Sequence, residues 1–252
     1  MQLIKNTENV SELYRGCNDS SLWSCLQGTM GEIHADSESS PHTAVACVGD
    51  FFFVAGKPDE DTIKQIRIVK PVGVVIIIPV GEGWEPVIYK VFGSKVEKVT
   101  RYAIKKEPDV FDRTHLTELV KGLPEGFELK EIDEELYNFC KTDKWSEDFV
   151  AQYDTYEKFR DTAVGEVILH DGRIVSGASS YSSYIGGIEV EIDTREEYRR
   201  RGLAVVCGAA LVLACLERNL YPSWDAANMI SVRIAEKLGY HLDREYAAYE
   251  VE

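Results

Sequence analysis

The pattern of apolar positions is clearest in the C-terminal half of the chain. Apolar residues alternate on both sides of Asp171-Gly172, which predicts strands at 164–170 and 173–178 joined by a tight hairpin. A third strand is predicted at 188–194, followed by an arginine-rich turn and an apolar helix that ends near Arg218. This helix is apolar on nearly every face, so we expect a second layer to cover it, from the N-terminal half or from another subunit.

The same pattern predicts further elements before and after this region. Those of the C-terminal half are a strand at 128–132, helices at 133–140 and 146–160 (the second capped by Ser146), a short strand at 220–224, a helix at 228–238 that ends at Gly239, and one or two strands within 240–251. Those of the N-terminal half are strands at 51–56 and 72–79, a helix at 61–66 and a strand pair at 87–104.

A change in composition predicts two domains. The stretch from Lys105 to Glu125 is charged and contains two prolines, which is typical of a connection. We therefore place a boundary near Glu125, with an N-terminal α/β domain at 1–125 for acceptor binding or dimerisation and a second domain at 126–252. The serine- and tyrosine-rich run at 179–184 is interpreted as an exposed strand end.

Composition excludes several classes of protein. The chain has 252 residues, 44% of them hydrophobic, and a formal net charge of −15, which argues against general binding of nucleic acid. The longest apolar run, 203–216, is too short for a membrane span, and no signal peptide is recognisable, so we expect a soluble, cytoplasmic protein without a membrane partner. The cysteines and histidines lack metal-binding spacing, so we expect no metal.

The most informative segment is the turn before the apolar helix. It reads Arg199-Arg200-Arg201-Gly202-Leu203-Ala204. The first amides of a helix have no intrahelical acceptor and carry the positive end of the helix dipole, so an anion is favoured there. Arginine adds bidentate donors for phosphate, and glycine lets a ligand approach the backbone closely. This pattern indicates a phosphate site, and the alternative is a solvated basic turn.

From about Phe127 to its end, the chain resembles the GCN5-related N-acetyltransferases (GNAT). The signature of that family, Arg/Gln-x-x-Gly-x-Gly/Ala after its fourth strand, corresponds to residues 199–204. Asn228-Met229-Ile230-Ser231 and Glu236-Lys237-Leu238-Gly239-Tyr240 are similar to its next helix and the end of that helix. Pro222-Ser223-Trp224-Asp225 is similar to a two-part branch with an extra N-terminal region, which includes antibiotic-modifying acetyltransferases.

The resemblance implies a fold of mixed α+β and α/β class. The C-terminal domain would have a central mixed, mostly antiparallel sheet with splayed fourth and fifth strands and helices on both faces, and the N-terminal α/β domain would pack against it. It also implies acetyl-CoA as acyl donor, with no metal. Its pyrophosphate would bind at Arg199, Arg200, Arg201, Gly202, Leu203 and Ala204, and its pantetheine arm along Ile192, Asp193 and Thr194.

The resemblance further implies that Asn228 and Ser231 reach atoms of coenzyme A by hydrogen bonds. Other roles are open for both residues, since Asn228 can cap a helix and Ser231 can be a small buried contact. A backbone amide in the 192–194 stretch would also polarise the thioester carbonyl.

Catalysis requires a base for the substrate ammonium, and Glu191 and Glu189 are the candidates beside the acetyl group. A surface salt bridge is the alternative role for Glu191. Strand alternation places both, with Asp193, on one face, although a bulge common in the family leaves the direction of that face open. The proton donor is less clear, because Ala235 occupies the position of the family's usual tyrosine. Tyr240 is interpreted as packing, which leaves the tyrosines Tyr184, Tyr246 and Tyr249, or solvent.

Our leading hypothesis is an N-acetyltransferase that moves an acetyl group from acetyl-CoA to a primary amine of a small molecule or peptide, by direct attack in a ternary complex. The alternatives are a non-catalytic acyl-CoA sensor or interaction module, and a transferase for another acyl donor. Nucleotide hydrolysis is excluded because the Gly-x-x-x-x-Gly-Lys-Ser/Thr motif is absent. A homodimer remains an option.

Overall fold

The computed structural model describes residues 1–252, and the chain divides into two compact units. The first unit comprises residues 1–101 and 245–252, and the second comprises residues 102–244. The predicted boundary near Glu125 lies inside the second unit, and the division into functional domains stays a prediction.

The elements of the first unit follow one another along the chain up to a strand that continues into the second unit. They are β1 (Gln2–Leu3), α1 (Glu8–Ser11), α2 (Ser20–Leu26), β2 (Glu32–Ala35), β3 (Thr43–Val48), β4 (Phe51–Gly56), α3 (Glu60–Val69), β5 (Val75–Val80), α4 (Trp84–Phe92) and β6 (Val96–Ile104).

The second unit begins within β6, and its last strand returns to the first unit. The remaining elements are α5 (Arg113–Lys121), β7 (Phe127–Glu131), α6 (Glu134–Cys140), α7 (Tyr156–Thr162), β8 (Gly165–His170), β9 (Arg173–Tyr184), β10 (Gly187–Thr194), α8 (Leu203–Glu217), β11 (Tyr221–Ser223), β12 (Asp225–Ala226), α9 (Met229–Lys237) and β13 (Leu242–Val251). Short 3-10 helices occur at Glu12–Tyr14, Gly93–Lys95, Glu147–Phe149 and Glu196–Tyr198.

The sheet of the first unit runs in the order β1-β2-β3-β4-β5-β13, antiparallel except for the parallel pair β4 and β5. The predicted strands at 51–56 and 72–79 correspond to that pair. The predicted strand pair at 87–104 is wrong in its first half, which forms α4. Val87, Ile88 and Val91 have helical spacing and pack against the core of this unit, so tertiary packing selects the helix.

The second unit has a mixed, mostly antiparallel sheet, as the resemblance implies. Its order is β11-β10-β9-β8-β7, and only β10 and β11 are parallel. Helix α8 packs on β8, β9 and β10, and α5 packs on α8. The expected second cover over α8 is therefore confirmed, and it is formed by the stretch that was interpreted only as a connection.

The other face of this sheet is covered by the segment around Phe149. A Cβ built on Gly177 of β9 would lie 2.7 Å from carbons of the Phe149 ring, so the ring rests directly on the strand backbone. The continuous helix predicted at 146–160 is wrong, because only Glu147–Phe149 and α7 are helical. Ser146 does not cap a helix; its hydroxyl donates to Asp143 Oδ2 at 2.7 Å.

Candidate active site

Strands β10 and β11 separate after Glu189. Their parallel pairing covers Gly187, Ile188 and Glu189, and Glu189 pairs with Ser223 at its end. Residues 190–194 of β10 are paired only with β9, while β12 pairs instead with β6. The backbone edge of 190–194 that faces away from β9 therefore borders a gap between strands, and this gap is the splay that the resemblance implies.

The direction of the side chains along β10 follows from its register with β9. Glu189 pairs with Ser182 and Val190 pairs with Ser180, so the extra residue of the bulge is Tyr181 on β9. Because the bulge lies on β9, the alternation along β10 continues through the gap.

Glu191 points away from α8. It lies opposite Ser179, whose hydroxyl donates to the Phe149 carbonyl at 2.6 Å on the face that carries the 147–149 segment. Ile192 has the opposite direction, since a Cβ on Gly208 of α8 would lie 3.6 Å from its Cδ1. Glu191 is half-buried and belongs to the segment of β10 that borders the gap.

Glu189 has a different environment from Glu191. Its side chain is buried, with 7% of its surface exposed, and its Oε1 accepts a hydrogen bond from the Asp225 amide at 2.7 Å. The structure therefore brings both predicted base candidates onto one strand but engages Glu189 with the backbone of the neighbouring segment.

The arginine-rich turn has the backbone of an anion site. Arg200 and Gly202 have φ of +63° and +82°, and Gly202 is the N-cap of α8. The amides of Val205 and Val206 donate to the Gly202 carbonyl at 3.0 and 3.1 Å, so the helix begins its hydrogen bonding there and the preceding amides have no intrahelical acceptor. A Cβ on Gly202 would meet no atom within 4 Å, so glycine is required by conformation and not by crowding.

The three predicted phosphate-binding arginines are exposed at this turn. Arg199 Nε donates to the Thr194 carbonyl at 3.1 Å, and the Arg201 guanidinium lies 5.3 Å from the centre of the Tyr198 ring. Leu203 is buried and Ala204 is half-buried. The predicted set is thus contiguous in space and presents amides and guanidinium groups together.

A fourth arginine nearby has a structural role that the sequence did not indicate. Arg195 donates to the Ile174 carbonyl at 2.7 Å and to Asp143 Oδ2 at 3.2 Å. Its guanidinium also stacks 4.1 Å from the centre of the Trp145 ring, and only 11% of the side chain is exposed. Arg195 therefore fixes the 143–149 segment against β10. No local sequence signal separates it from the other arginines.

Residues 193 and 194 use several of their polar groups within the protein. The Thr194 amide donates to its neighbour Asp193 Oδ1 at 2.6 Å, and the Thr194 hydroxyl lies 2.7 Å from the Ser176 hydroxyl. The side chain of Thr194 is therefore fixed in the sheet, and its amide and carbonyl both have protein partners, Asp193 Oδ1 and Arg199 Nε.

Asn228 and Ser231 lie together at the N-terminus of α9. Asn228 Oδ1 accepts from the amides of Ile230 and Ser231 at 2.9 and 3.0 Å, so its role as an N-cap is confirmed. The Ser231 hydroxyl accepts from Trp224 Nε1 at 3.0 Å, which links α9 to the end of β11. Asn228 is exposed and Ser231 half-buried, so a ligand contact remains compatible with both bonds.

The tyrosine candidates for proton donation are in different environments. Ala235 is 0% exposed and belongs to the core, and Tyr240 is a packing residue whose hydroxyl donates to the Pro222 carbonyl at 2.7 Å. Tyr246 and Tyr249 belong to the first unit. Tyr184 lies opposite Gly187 in the β9–β10 pair, and burial raises the pKa of its hydroxyl to about 12.

The serine- and tyrosine-rich run at 179–184 is buried, so its interpretation as an exposed strand end is wrong. Polar groups in this run have partners inside the protein. The Ser183 hydroxyl lies 2.7 Å from the Tyr153 hydroxyl, and the Tyr184 hydroxyl lies 2.9 Å from the Ser223 hydroxyl. Sequence polarity was misleading here because each of these hydroxyls replaces water with a protein partner.

The structure contains no group of three or more His, Cys, Asp or Glu residues that could hold a metal ion. None of its helices combines the length and apolarity that crossing a membrane requires.

Comparisons with known proteins agree with this geometry. A family model described as GNAT acetyltransferase matches residues 11–249. The chain is 47% identical to a GCN5-related N-acetyltransferase-like protein from Streptococcus suis 89/1591, with a TM-score of 0.92 and 98% of each chain covered. It is 26% identical over 239 residues to an uncharacterised N-acetyltransferase, YdfB, of Bacillus subtilis strain 168, covering 90% of this chain and 88% of the relative.

A more distant structure shares the fold alone. A GCN5-related N-acetyltransferase from Kribbella flavida is 15% identical, with a TM-score of 0.58, 92% of this chain covered and 93% of the other. The match of the family model includes most of the N-terminal half, which the resemblance in sequence had not reached.

Proposed function

We propose that this chain, which belongs to the GNAT acetyltransferase family, moves an acetyl group from acetyl-CoA to a primary amine of a small molecule or peptide. The observation that carries the proposal is the gap between β10 and β11, which leads to the amides and arginines of the 199–204 turn. Acetyl transfer would occur by direct attack of the amine in a ternary complex.

The residues present fit acetyl-CoA, which supplies an activated acetyl thioester when bound. The pyrophosphate would be held by the amides of Gly202, Leu203 and Ala204 and by the guanidinium groups of residues 199–201. The backbone of 192–194 would receive the pantetheine arm as an added strand. Asn228 and Ser231 would supply hydrogen bonds from the start of α9.

Glu191 is the base that we favour for the attacking amine. An amine reaches the enzyme as an ammonium ion and must lose a proton before it can attack the thioester carbonyl. Glu191 borders the gap on the face of the sheet that carries the 147–149 segment, whereas Glu189 already accepts a hydrogen bond from the Asp225 amide. Burial raises the pKa of the Tyr184 hydroxyl to about 12, which makes it a weaker acid, so solvent is the proton donor that we favour for the departing thiolate.

A non-catalytic acyl-CoA sensor is the second candidate function. The observation that favours it is Ala235, which occupies the position of the usual tyrosine and is fully buried in the core. The turn at 199–204 supports acetyl-CoA binding in either case.

Binding of acetyl-CoA, measured by titration calorimetry, tests both functions. We expect a micromolar Kd for the wild type and a loss of about 10- to 100-fold for Gly202→Asp, because a carboxylate would face the pyrophosphate. The matched control is Gly186→Asp, since Gly186 also has a positive φ (+97°), is exposed and has no atom within 4 Å of a built Cβ. An absence of binding by the wild type would refute both functions.

Release of the coenzyme A thiol separates the transferase from the sensor. The assay uses a panel of aminoglycosides, polyamines and peptides with free N-termini. We expect Glu191→Gln to lower turnover by about 10²- to 10⁴-fold, as for loss of a general base, with unchanged affinity for acetyl-CoA. Binding without thiol release for any amine of the panel would favour the sensor.

A further inference from the structure

The contact between Glu189 and Asp225 lies at the closed end of the gap. Glu189 is the last residue of β10 that pairs with β11, and Asp225 is the first residue of β12. Between Ser223 and Asp225 the chain changes its strand partner from β10 to β6, where Asp225 pairs with Ala103. The buried carboxylate of Glu189 thus contacts the chain at the point where the two strands separate.

The physical reason for this contact is the Asp225 amide. When a strand leaves its partner, amides that pointed toward the partner lose their acceptors, and a buried amide without an acceptor is costly. The Glu189 carboxylate supplies an acceptor at 2.7 Å, so the strands can separate without leaving this amide unpaired. The Glu189 side chain thus takes the place of a backbone carbonyl at the branch point, where β10 and β11 separate.

Two tyrosines hold the short strand β11 from the same region. The Tyr240 hydroxyl donates to the Pro222 carbonyl at 2.7 Å, and the Tyr184 hydroxyl lies 2.9 Å from the Ser223 hydroxyl. The charge of Glu189 is among the causes that raise the pKa of both tyrosine hydroxyls, so the carboxylate belongs to the same cluster. A strand of three residues is thereby fixed by side chains and not only by its ladder.

We propose that Glu189 is a positioning residue that fixes the branch point of β10 and β11 through the Asp225 amide, and that it does not act on the substrate. The consequence for coenzyme A rests on the proposed function, because the width of the gap then determines how well the pantetheine arm fits. Glu191 and Glu189 thus have separate tasks on one strand.

Amide hydrogen exchange of Asp225, measured by NMR, tests the contact without any ligand. We expect Glu189→Ala to accelerate exchange about tenfold, as for loss of one hydrogen bond to a charged group. Glu189→Gln retains an oxygen acceptor of the same reach and should remain within about twofold of the wild type. Glu189→Asp keeps the charge but is one methylene shorter, so it should resemble the alanine variant.

Binding of coenzyme A, measured by calorimetry on the same variants, tests the consequence. We expect affinity to fall about 5- to 10-fold in Glu189→Ala and Glu189→Asp and to be restored in Glu189→Gln. Glu191→Gln is the matched control on the same strand, and it should leave Asp225 exchange unchanged.

The outcomes distinguish this proposal from the proposed function. Unchanged Asp225 exchange in Glu189→Ala, or a glutamine variant as impaired as the alanine variant, would overturn the positioning role. If the wild type does not bind coenzyme A but Asp225 exchange responds as expected, the proposed function fails and the structural contact stands.

Discussion

Glu166 on β8 predicts a specific dependence of stability on pH. Its carboxyl is largely buried, and burial together with the charges of Glu131 and Glu217 raises its pKa to about 7. Glu131 lies directly opposite it on β7. The charge of Glu166 is also among the causes that raise the pKa of the Cys207 and Cys215 thiols of α8, which places the carboxyl near that helix.

The sign of the effect follows from the direction of the shift. The pKa of Glu166 is raised from the ordinary value of 4.5, so the folded state favours the protonated form. The associated stability is fully present below pH 4.5 and is lost as the pH rises through about 7. A pKa raised from 4.5 to about 7 corresponds to about 3 kcal/mol.

Glu166→Gln removes this loss, because glutamine resembles the protonated acid in size and remains neutral. In urea denaturation we expect the variant to be within about 1 kcal/mol of the wild type at pH 5 and more stable by about 3 kcal/mol at pH 8. Glu128→Gln on the neighbouring strand is the control, since Glu128 is exposed in an ion pair with Lys130. Equal effects of Glu166→Gln at the two pH values would refute the reasoning.

Two further predictions concern the 143–149 segment. Gly177→Ala should destabilise the protein by about 1–3 kcal/mol, because the new Cβ would overlap the Phe149 ring. Thermal unfolding measures the loss of stability, and a second substitution, Phe149→Leu, should recover part of it. Arg195→Ala should cost about 2–4 kcal/mol, since it removes the ion pair with Asp143, the bond to the Ile174 carbonyl and the stack on Trp145. Urea unfolding followed by tryptophan fluorescence measures the loss of stability in Arg195→Ala. Affinity for coenzyme A should change by less than about threefold, because the hydrogen bonds of Arg195 go to protein groups. A large loss of affinity would place Arg195 in the cofactor site.

Local chemistry explains which elements the sequence could predict. The hairpin between β8 and β9 was recognised because Asp171 and Gly172 both adopt positive φ, which is the requirement of the tight turn that Asp-Gly favours. The start of α8 at the 199–204 turn was predicted for a similar reason, since the glycine N-cap and its flanking arginines are adjacent in sequence. Both features depend on a few consecutive residues.

The splay of β10 and β11 depends instead on long-range pairing. Nothing in residues 187–194 specifies where the partner strand leaves, because that point is set by the pairing of Asp225 and Ala226 with β6. The role of Glu189 follows from the same pairing. The resemblance implied a splay, but only the structure identified the residue at which the strands separate.

Packing explains the elements that were predicted wrongly. Residues 87–92 are apolar enough for a buried strand, and their helical spacing becomes decisive only when a core lies on one side. The aromatic residues from Phe149 to Phe159 have helical spacing, yet Phe149 packs against Gly177. The hydroxyls of Tyr153 and Ser183 also form a hydrogen bond. These tertiary contacts outweigh local helix propensity and divide the segment.

The arginines near the turn show why composition alone cannot assign a site. Arg195 makes its hydrogen bonds and its ring stack within the protein, whereas Arg199 Nε donates to the Thr194 carbonyl and Arg199 Nη2 lies 3.8 Å from Asp193 Oδ1. These two contacts orient the guanidinium, and 58% of the Arg199 side chain remains exposed at the turn. A donor that is already oriented loses less conformational freedom when it binds an anion, so the bond to Thr194 would favour the phosphate contact that we propose for Arg199. The same residue type is therefore structural at position 195, and at position 199 it is the exposed side chain that we propose for phosphate binding.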